Sequence, residues 1–102
     1  MIEYDESVDI NKGDVVLVFG AEWCQPCKII SKLLVNITTS MYNILHVDAD
    51  KYSRLAYKFD VTSIPAVVYI KDGSIVKFIN SSSSMKVAMN ISKNNFSDLQ
   101  ES

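Results

Sequence analysis

Two cysteines three positions apart, Cys24 and Cys27, are the only thiols in this 102-residue chain. The thiolate, not the thiol, attacks disulfides and binds metals. The pair lies in Trp23-Cys24-Gln25-Pro26-Cys27-Lys28, soon after the apolar run Val15-Val16-Leu17-Val18-Phe19. That run reads as a strand, and the stretch after it as the opening of a helix. Pro26 suits a first helical turn, where its missing N–H and fixed φ carry no penalty. A helix N-terminus also stabilises an anion through its unpaired N–H groups and macrodipole. In that turn Cys24 is expected as the exposed attacking thiolate and Cys27, one turn on, as the resolving thiol. Two other readings stand beside redox chemistry. A C-x-x-C can be half of a zinc site, for which only His46 and carboxylates remain as further ligands. The pair could also be inert, although Trp23 and Pro26 frame it in the redox pattern.

The stretch resembles the active site of the thioredoxin family, W-C-G-P-C-K, with five of the six residues unchanged; that family is itself the usual illustration of such a motif. A second resemblance lies in Ser63-Ile64-Pro65-Ala66-Val67-Val68, with Pro65 38 residues after Cys27 (65 − 27). The family carries an X-Pro with a cis peptide bond here, packed against the disulfide. An X–Pro bond is the one kind that is cis at low cost. By that resemblance Ile64 offers its free N–H and C=O to a substrate strand, a small case of β-augmentation. Without the resemblance, Pro65 reads better as a trans proline starting an edge strand.

The family resemblance implies a thiol–disulfide oxidoreductase that reduces protein disulfides and needs no metal or organic cofactor. It implies catalytic Cys24 and Cys27, and a partner-facing surface of Trp23, Gln25, Pro26, Ile64 and Pro65. It also implies re-reduction by a thioredoxin reductase, with ribonucleotide reductase as a candidate client. A glutathione-coupled, glutaredoxin-like role is the alternative within redox chemistry, though the motif lacks C-P-Y-C. A thioredoxin fold used as a non-catalytic binding module is the alternative outside it.

The chain departs from the family pattern in several places. Val18 stands where the family has a buried Asp that can take the proton of the resolving cysteine. His46, the only histidine, falls where the family often has a Lys beside that Asp. Imidazole titrates near neutrality, so His46 could replace the missing carboxylate as proton acceptor for Cys27. A half-buried strand histidine without a chemical role is the plainer reading, and the sequence favours it, since imidazole can be too short or turned away. Gln25 replaces a Gly between the cysteines, where side chains tune the reduction potential. Lys32 replaces a helix-kinking Pro, and Ser81 to Ser84 a Gly-containing loop that faces the partner. Asp48, Asp50 and Glu22 read as solvated or capping residues.

The elements that must hold these groups are legible in the pattern. Val15 to Phe19 is a continuous apolar run, the mark of a strand covered on both faces, and Ile44-Leu45-His46-Val47 reads as a second buried strand. Between them a helix from Cys24 shows a stripe of Ile30, Leu33, Leu34 and Ile37, and Ile37-Thr38-Thr39-Ser40 ends it. Asp50 suits the N-cap of a short helix through Phe59, with Leu55, Ala56 and Phe59 buried. Ala66 to Ile70 and Ser74 to Ile79 are strands joined by the hairpin signal Asp72-Gly73. Ser81 to Ser84 reads as a polar breaker, with Ser84 capping a last helix that buries Met85, Ala88 and Met89. Ile2-Glu3-Tyr4 is a short candidate edge strand, residues 5–14 a loop or short helix, and the tail from Asn94 has little pattern. The order is β-α-β-α-β-β-α, with parallel crossovers first and a hairpin last. The expected fold is therefore α/β: a thioredoxin fold, with a central mixed sheet flanked by helices on both faces.

Composition sets the remaining expectations. With 48% hydrophobic residues and a net charge of −2, the chain reads as one domain, 1–102. Its ten Lys and Arg are scattered, which argues against nucleic acid. The acidic start lacks a signal-peptide pattern, and no apolar run approaches a membrane span. A monomer in the reducing cytoplasm, where a close cysteine pair is more often catalytic than structural, is the expectation.

Overall fold

The structure, a computed structural model, describes residues 1–100. Five strands make one sheet: β1 (Ile2–Glu3), β2 (Asp14–Gly20), β3 (Asn43–Asp48), β4 (Ala66–Lys71) and β5 (Ser74–Ile79), in the order β1-β3-β2-β4-β5. β1, β3 and β2 are mutually parallel, while β4 runs antiparallel to both β2 and β5. Alternate residues of each strand face opposite sides of a sheet, so the apolar runs feed two cores at once. Val16, Val18, Ile44, Val67 and Ile79 meet the helices α1 (Gln25–Leu34) and α3 (Ser81–Ser92). Leu17, Phe19, Leu45, Val47 and Val68 meet α2 (Ser53–Lys58) and the loop residue Ile10. This is the mixed sheet with helices on both faces that the sequence led us to expect.

The helix limits differ from expectation in three places. α1 ends at Leu34 rather than running to Ile37, because the β-branched residues beyond it disfavour another turn. Ile30 and Leu34 are fully buried, whereas Leu33 and Ile37 only pack against the edge of the core. α2 starts after Tyr52, not after Asp50. The turn ahead of it is held by Asp48, whose Oδ1 accepts from the N–H groups of Asp50 and Lys51 at 3.0 and 3.1 Å. Ser81 to Ser84 is not a loop: it is the first turn of α3, which starts after Asn80. Ser84 is thus not a cap, and the buried stripe is Ser84, Val87, Ala88 and Ile91, with Met89 left exposed.

α3 closes in a Schellman motif. Asn94 takes a positive φ of 59°, its N–H reaches Ile91 O at 2.8 Å, and the Asn95 N–H reaches Asn90 O at 2.9 Å. The reversal sends the tail back over the α1–α3 core, where Phe96 and Leu99 are buried. The pattern from Asn94 was therefore too sparse to show that this segment is core. Its two apolar residues are the cap and the last residue of the short 3₁₀ turn Ser97–Leu99.

The β4–β5 hairpin turns on Asp72 and Gly73, with φ of 50° and 86°. Two successive positive values are what a type I′ turn requires. The tip is clasped to the loop before β2: the Asp72 N–H donates to Gly13 O at 2.9 Å, and the Gly13 N–H to Asp72 Oδ1 at 2.8 Å. A Cβ on Gly73 would also lie 2.9 Å from Asn11 Oδ1, whereas one on Gly13, at φ 74°, would meet nothing within 4 Å. Each Gly→Ala change should destabilise the protein by about 1–2 kcal/mol through left-handed backbone strain, with the larger loss at Gly73. Chemical denaturation of the two variants checks the ranking.

Candidate active site

The site is assembled where β2 hands over to α1. β2 ends at Gly20, and the Cys24 N–H returns to Ala21 O at 3.1 Å, closing a turn through Glu22 and Trp23. Cys24 is then the N-cap of α1, with extended backbone (φ −93°, ψ 108°) and its sulfur accepting from the Cys27 N–H at 3.3 Å. Sulfur here fills the place of a Ser or Asp side-chain oxygen. Pro26 occupies the first turn, which contains no acidic residue to oppose a thiolate. Such a position favours negative charge on Cys24 through the free N–H groups and the helix dipole.

Cys24 and Cys27 are joined as a disulfide, with their Cα atoms 5.2 Å apart. Both residues are buried, at 5% and 4% exposure. The expectation of an exposed Cys24 is thus corrected for the oxidised form. What separates the two sulfurs is position: Cys24 caps the helix, and Cys27 lies behind it against the sheet. Gly20 makes that second placement achievable. A Cβ at Gly20 would fall 3.0 Å from Cys27 Cβ, tight enough that Cys27 would have to give way by a few tenths of an ångström. A glycine at a strand end often marks such close approach, and Gly20 is the sequence signal for it.

The second wall is the Ile64–Pro65 peptide, which is cis. Ile64 packs on the small cluster of Ala21, Cys24 and Cys27. Behind Pro65, the buried Ser84 donates to Asn80 O at 2.8 Å, with the Pro65 and Ile79 carbonyls close by at 3.3 and 3.4 Å. Beside it Ser63 and Ser81 share a hydroxyl–hydroxyl bond of 2.9 Å. The serine run expected as a partner-facing loop therefore fixes the cis-proline turn from the rear.

Trp23 is 69% exposed, and its Nε1–H donates to Asp50 Oδ2 at 2.9 Å. Asp50, expected to cap a helix, instead holds the indole at the rim of an open groove of about 560 Å³. Ala49, Tyr57, Val61, Thr62, Ser63 and Ile64 are among the other residues that line it. Tyr57, 85% exposed on α2, had no sequence signal as part of a binding surface.

On the other side of the motif, Gln25, Cys27, Lys28, Ile29, Lys32 and His46 line a second, mainly apolar pocket of about 450 Å³. Val18 and His46 are direct neighbours across the β2–β3 ladder. Val18 is buried core and offers no proton acceptor. His46 does come to the site: its Nε2 and Cys27 Sγ each lie 3.4 Å from the point where a Gly20 Cβ would sit. Its Nδ1 lies 2.9 Å from both carboxylate oxygens of Glu3. Of the residues anticipated from the sequence, Trp23 and Ile64 line the groove, and Ile64 also packs on Cys24 and Cys27 beside Pro65. Pro26 stands in the first turn of α1, and Cys27 reaches the pocket. Gln25 and His46 are on the pocket side.

The Thioredoxin family model matches residues 2–93. The chain is similar to the thioredoxin of Bacillus subtilis, 35% identical over 70% of this chain and 71% of that one. It is 39% identical to the thioredoxin of Chlamydia trachomatis over 67% of this chain and 69% of that one. Other curated relatives are longer, and the chain spans about half of the mouse mitochondrial thioredoxin (49%). Among solved structures, the thioredoxin of Malassezia sympodialis superposes with a TM-score of 0.73 at 22% identity, covering 95% of this chain and 92% of that one. That likeness shows the fold.

Replacing Gly20 by Ala should force Cys27 away from β2 and destabilise the oxidised protein by about 1–3 kcal/mol, as overpacking does. Denaturant unfolding of the disulfide form measures it.

Proposed function

The chain belongs to the thioredoxin family and is a thiol–disulfide oxidoreductase; we propose that Cys24 is its nucleophile, Cys27 its resolving thiol and protein disulfides its substrates. The observation that carries this reading is the placement of the disulfide at the N-terminus of α1, against the cis Ile64–Pro65 turn. In the reduced protein the Cys24 thiolate attacks one sulfur of a target disulfide. The target S–S bond breaks, a mixed disulfide forms, and the other target sulfur leaves as a thiolate. Cys27 then gives up its proton, and its thiolate attacks Cys24 Sγ. The intermolecular bond breaks, the second target sulfur leaves, and Cys24–Cys27 is oxidised. Two electrons pass to the target, and its two sulfurs take up two protons.

We assign the surrounding residues accordingly. Trp23, Gln25 and Pro26 contact the partner, and Ile64 pairs its backbone with the substrate strand beside Pro65. His46 receives the Cys27 proton through water in the pocket, since Val18 cannot. The whole of 1–102 acts as one domain and as a monomer in the cytoplasm, without metal or organic cofactor. A thioredoxin reductase returns it to the dithiol, and ribonucleotide reductase is a client. Among the described residues, no helix is long and apolar enough to cross a membrane.

The trapping experiment tests the division of labour. Cys27→Ser should accumulate a covalent mixed disulfide with a protein disulfide such as insulin, visible on non-reducing gels and released by dithiothreitol. Cys24→Ser should trap nothing, and each change should abolish turnover. Trapping by Cys24→Ser instead of Cys27→Ser reverses the assignment. Asp50→Ala should free the Trp23 indole and lower kcat/KM for insulin by about two- to tenfold, the worth of one hydrogen bond. A drop in Trp23 fluorescence anisotropy should accompany it.

A further inference from the structure

Glu3 comes from the short edge strand β1, far in sequence from the motif, yet it stands directly opposite His46 in the β1–β3 ladder. The next residue fixes the register, since the Tyr4 N–H donates to His46 O at 2.8 Å. Backbone and side chain thus grip the same histidine. The Glu3 carboxylate takes Nδ1, leaving Nε2 to face Gly20 and Cys27. A carboxylate can only accept from a neutral imidazole, so it selects the Nδ1–H tautomer and leaves a lone pair on Nε2.

We infer that Glu3 is a positioning residue for the resolving step: it orients His46 and fixes its tautomer, so that Nε2 accepts the Cys27 proton. This rests on the reading of His46 as that acceptor. The step balances as follows. The Cys27 S–H bond breaks, its proton passes through water to Nε2, and the electron pair left on sulfur attacks Cys24 Sγ. The imidazolium then donates through both nitrogens, with Nδ1–H still on the Glu3 carboxylate, and returns its proton to the departing target thiolate. His46 is 20% exposed and Glu3 64%. Solvent weakens an ion pair so placed, so the role assigned to Glu3 is orientation and not stability. The other ionisable groups at the site are Glu22, Lys28 and Lys32 around the pocket and Asp48 on β3, which is engaged by the Asp50 and Lys51 N–H groups.

The test is stopped-flow reaction of the reduced protein with 5,5′-dithiobis(2-nitrobenzoate), across about pH 5 to 9, where imidazole titrates. The first thionitrobenzoate released reports attack by Cys24, and the second reports resolution by Cys27. Glu3→Gln should slow the second phase about tenfold, the lower end of what is lost when the carboxylate behind a metal-bound histidine is removed, alter its pH profile and leave the first phase unchanged. His46→Gln should slow the same phase, and the double variant should be no slower than His46→Gln. Imidazole ¹⁵N shifts should report Nδ1–H in the parent and a move toward Nε2–H in Glu3→Gln. If His46→Gln leaves the second phase and its profile unchanged, the acceptor reading fails and this inference with it. If His46→Gln acts and Glu3→Gln does not, Glu3 alone is overturned. Additive losses, slowing of both phases, or Nε2–H in the parent would each reduce Glu3 to a structural role.

Discussion

A helix can begin where a strand ends only if something accepts its first free N–H groups, and here that acceptor is a sulfur. Cys24 caps α1 as a serine caps other helices, so the group that ends the orphaned backbone is also the reactive one. The dipole that would favour any anion at this point favours a thiolate. The remaining architecture serves that junction. Gly20 lets α1 settle low enough on β2 for Cys27 to lie against the sheet. Ile64 then closes over both cysteines from the β4 side.

The two sides of the motif have different characters. The groove toward α2 carries exposed aromatic surface, with Trp23 steered by Asp50 and Tyr57 beyond it. That is the surface on which an extended partner can lie. The pocket toward β3 is mainly apolar and brings His46 and Cys27 together, with Lys28 and Lys32 at its wall. On the proposed reading, substrate binding falls mainly to the groove and proton transfer to the pocket, with Gln25 at the pocket's edge serving the first.

Much of this was legible beforehand, because the informative signals are local. The C-x-P-C turn, the buried strand runs and Asp72-Gly73 all depend on residues next to one another in the chain. What was missed depends on distant pairing. Asp50 looked like a helix cap because caps are local, but its carboxylate is taken by an indole 27 residues away. Ser84 looked like a cap for the same reason, and proved to be a buried hydroxyl tying α3 to the back of Pro65. Glu3 carried no signal at all, since its meaning comes from a register that only the sheet supplies. The serine-rich start of α3 misled because serine is a weak helix former. Packing of Val87, Ala88 and Ile91 outweighs that preference.

The reversal after α3 bears on where this protein's boundary should be drawn. The family model stops at residue 93, but the apolar filling of the α1–α3 face does not, since Phe96 and Leu99 are part of it. Homology and cohesion therefore disagree about the C-terminal limit by several residues. A fragment cut at the end of the recognisable family would keep every chemical group of the site. It would also carry an uncovered apolar hollow beneath the helix that supports the cis-proline turn, and its weakness would be solubility before it was chemistry.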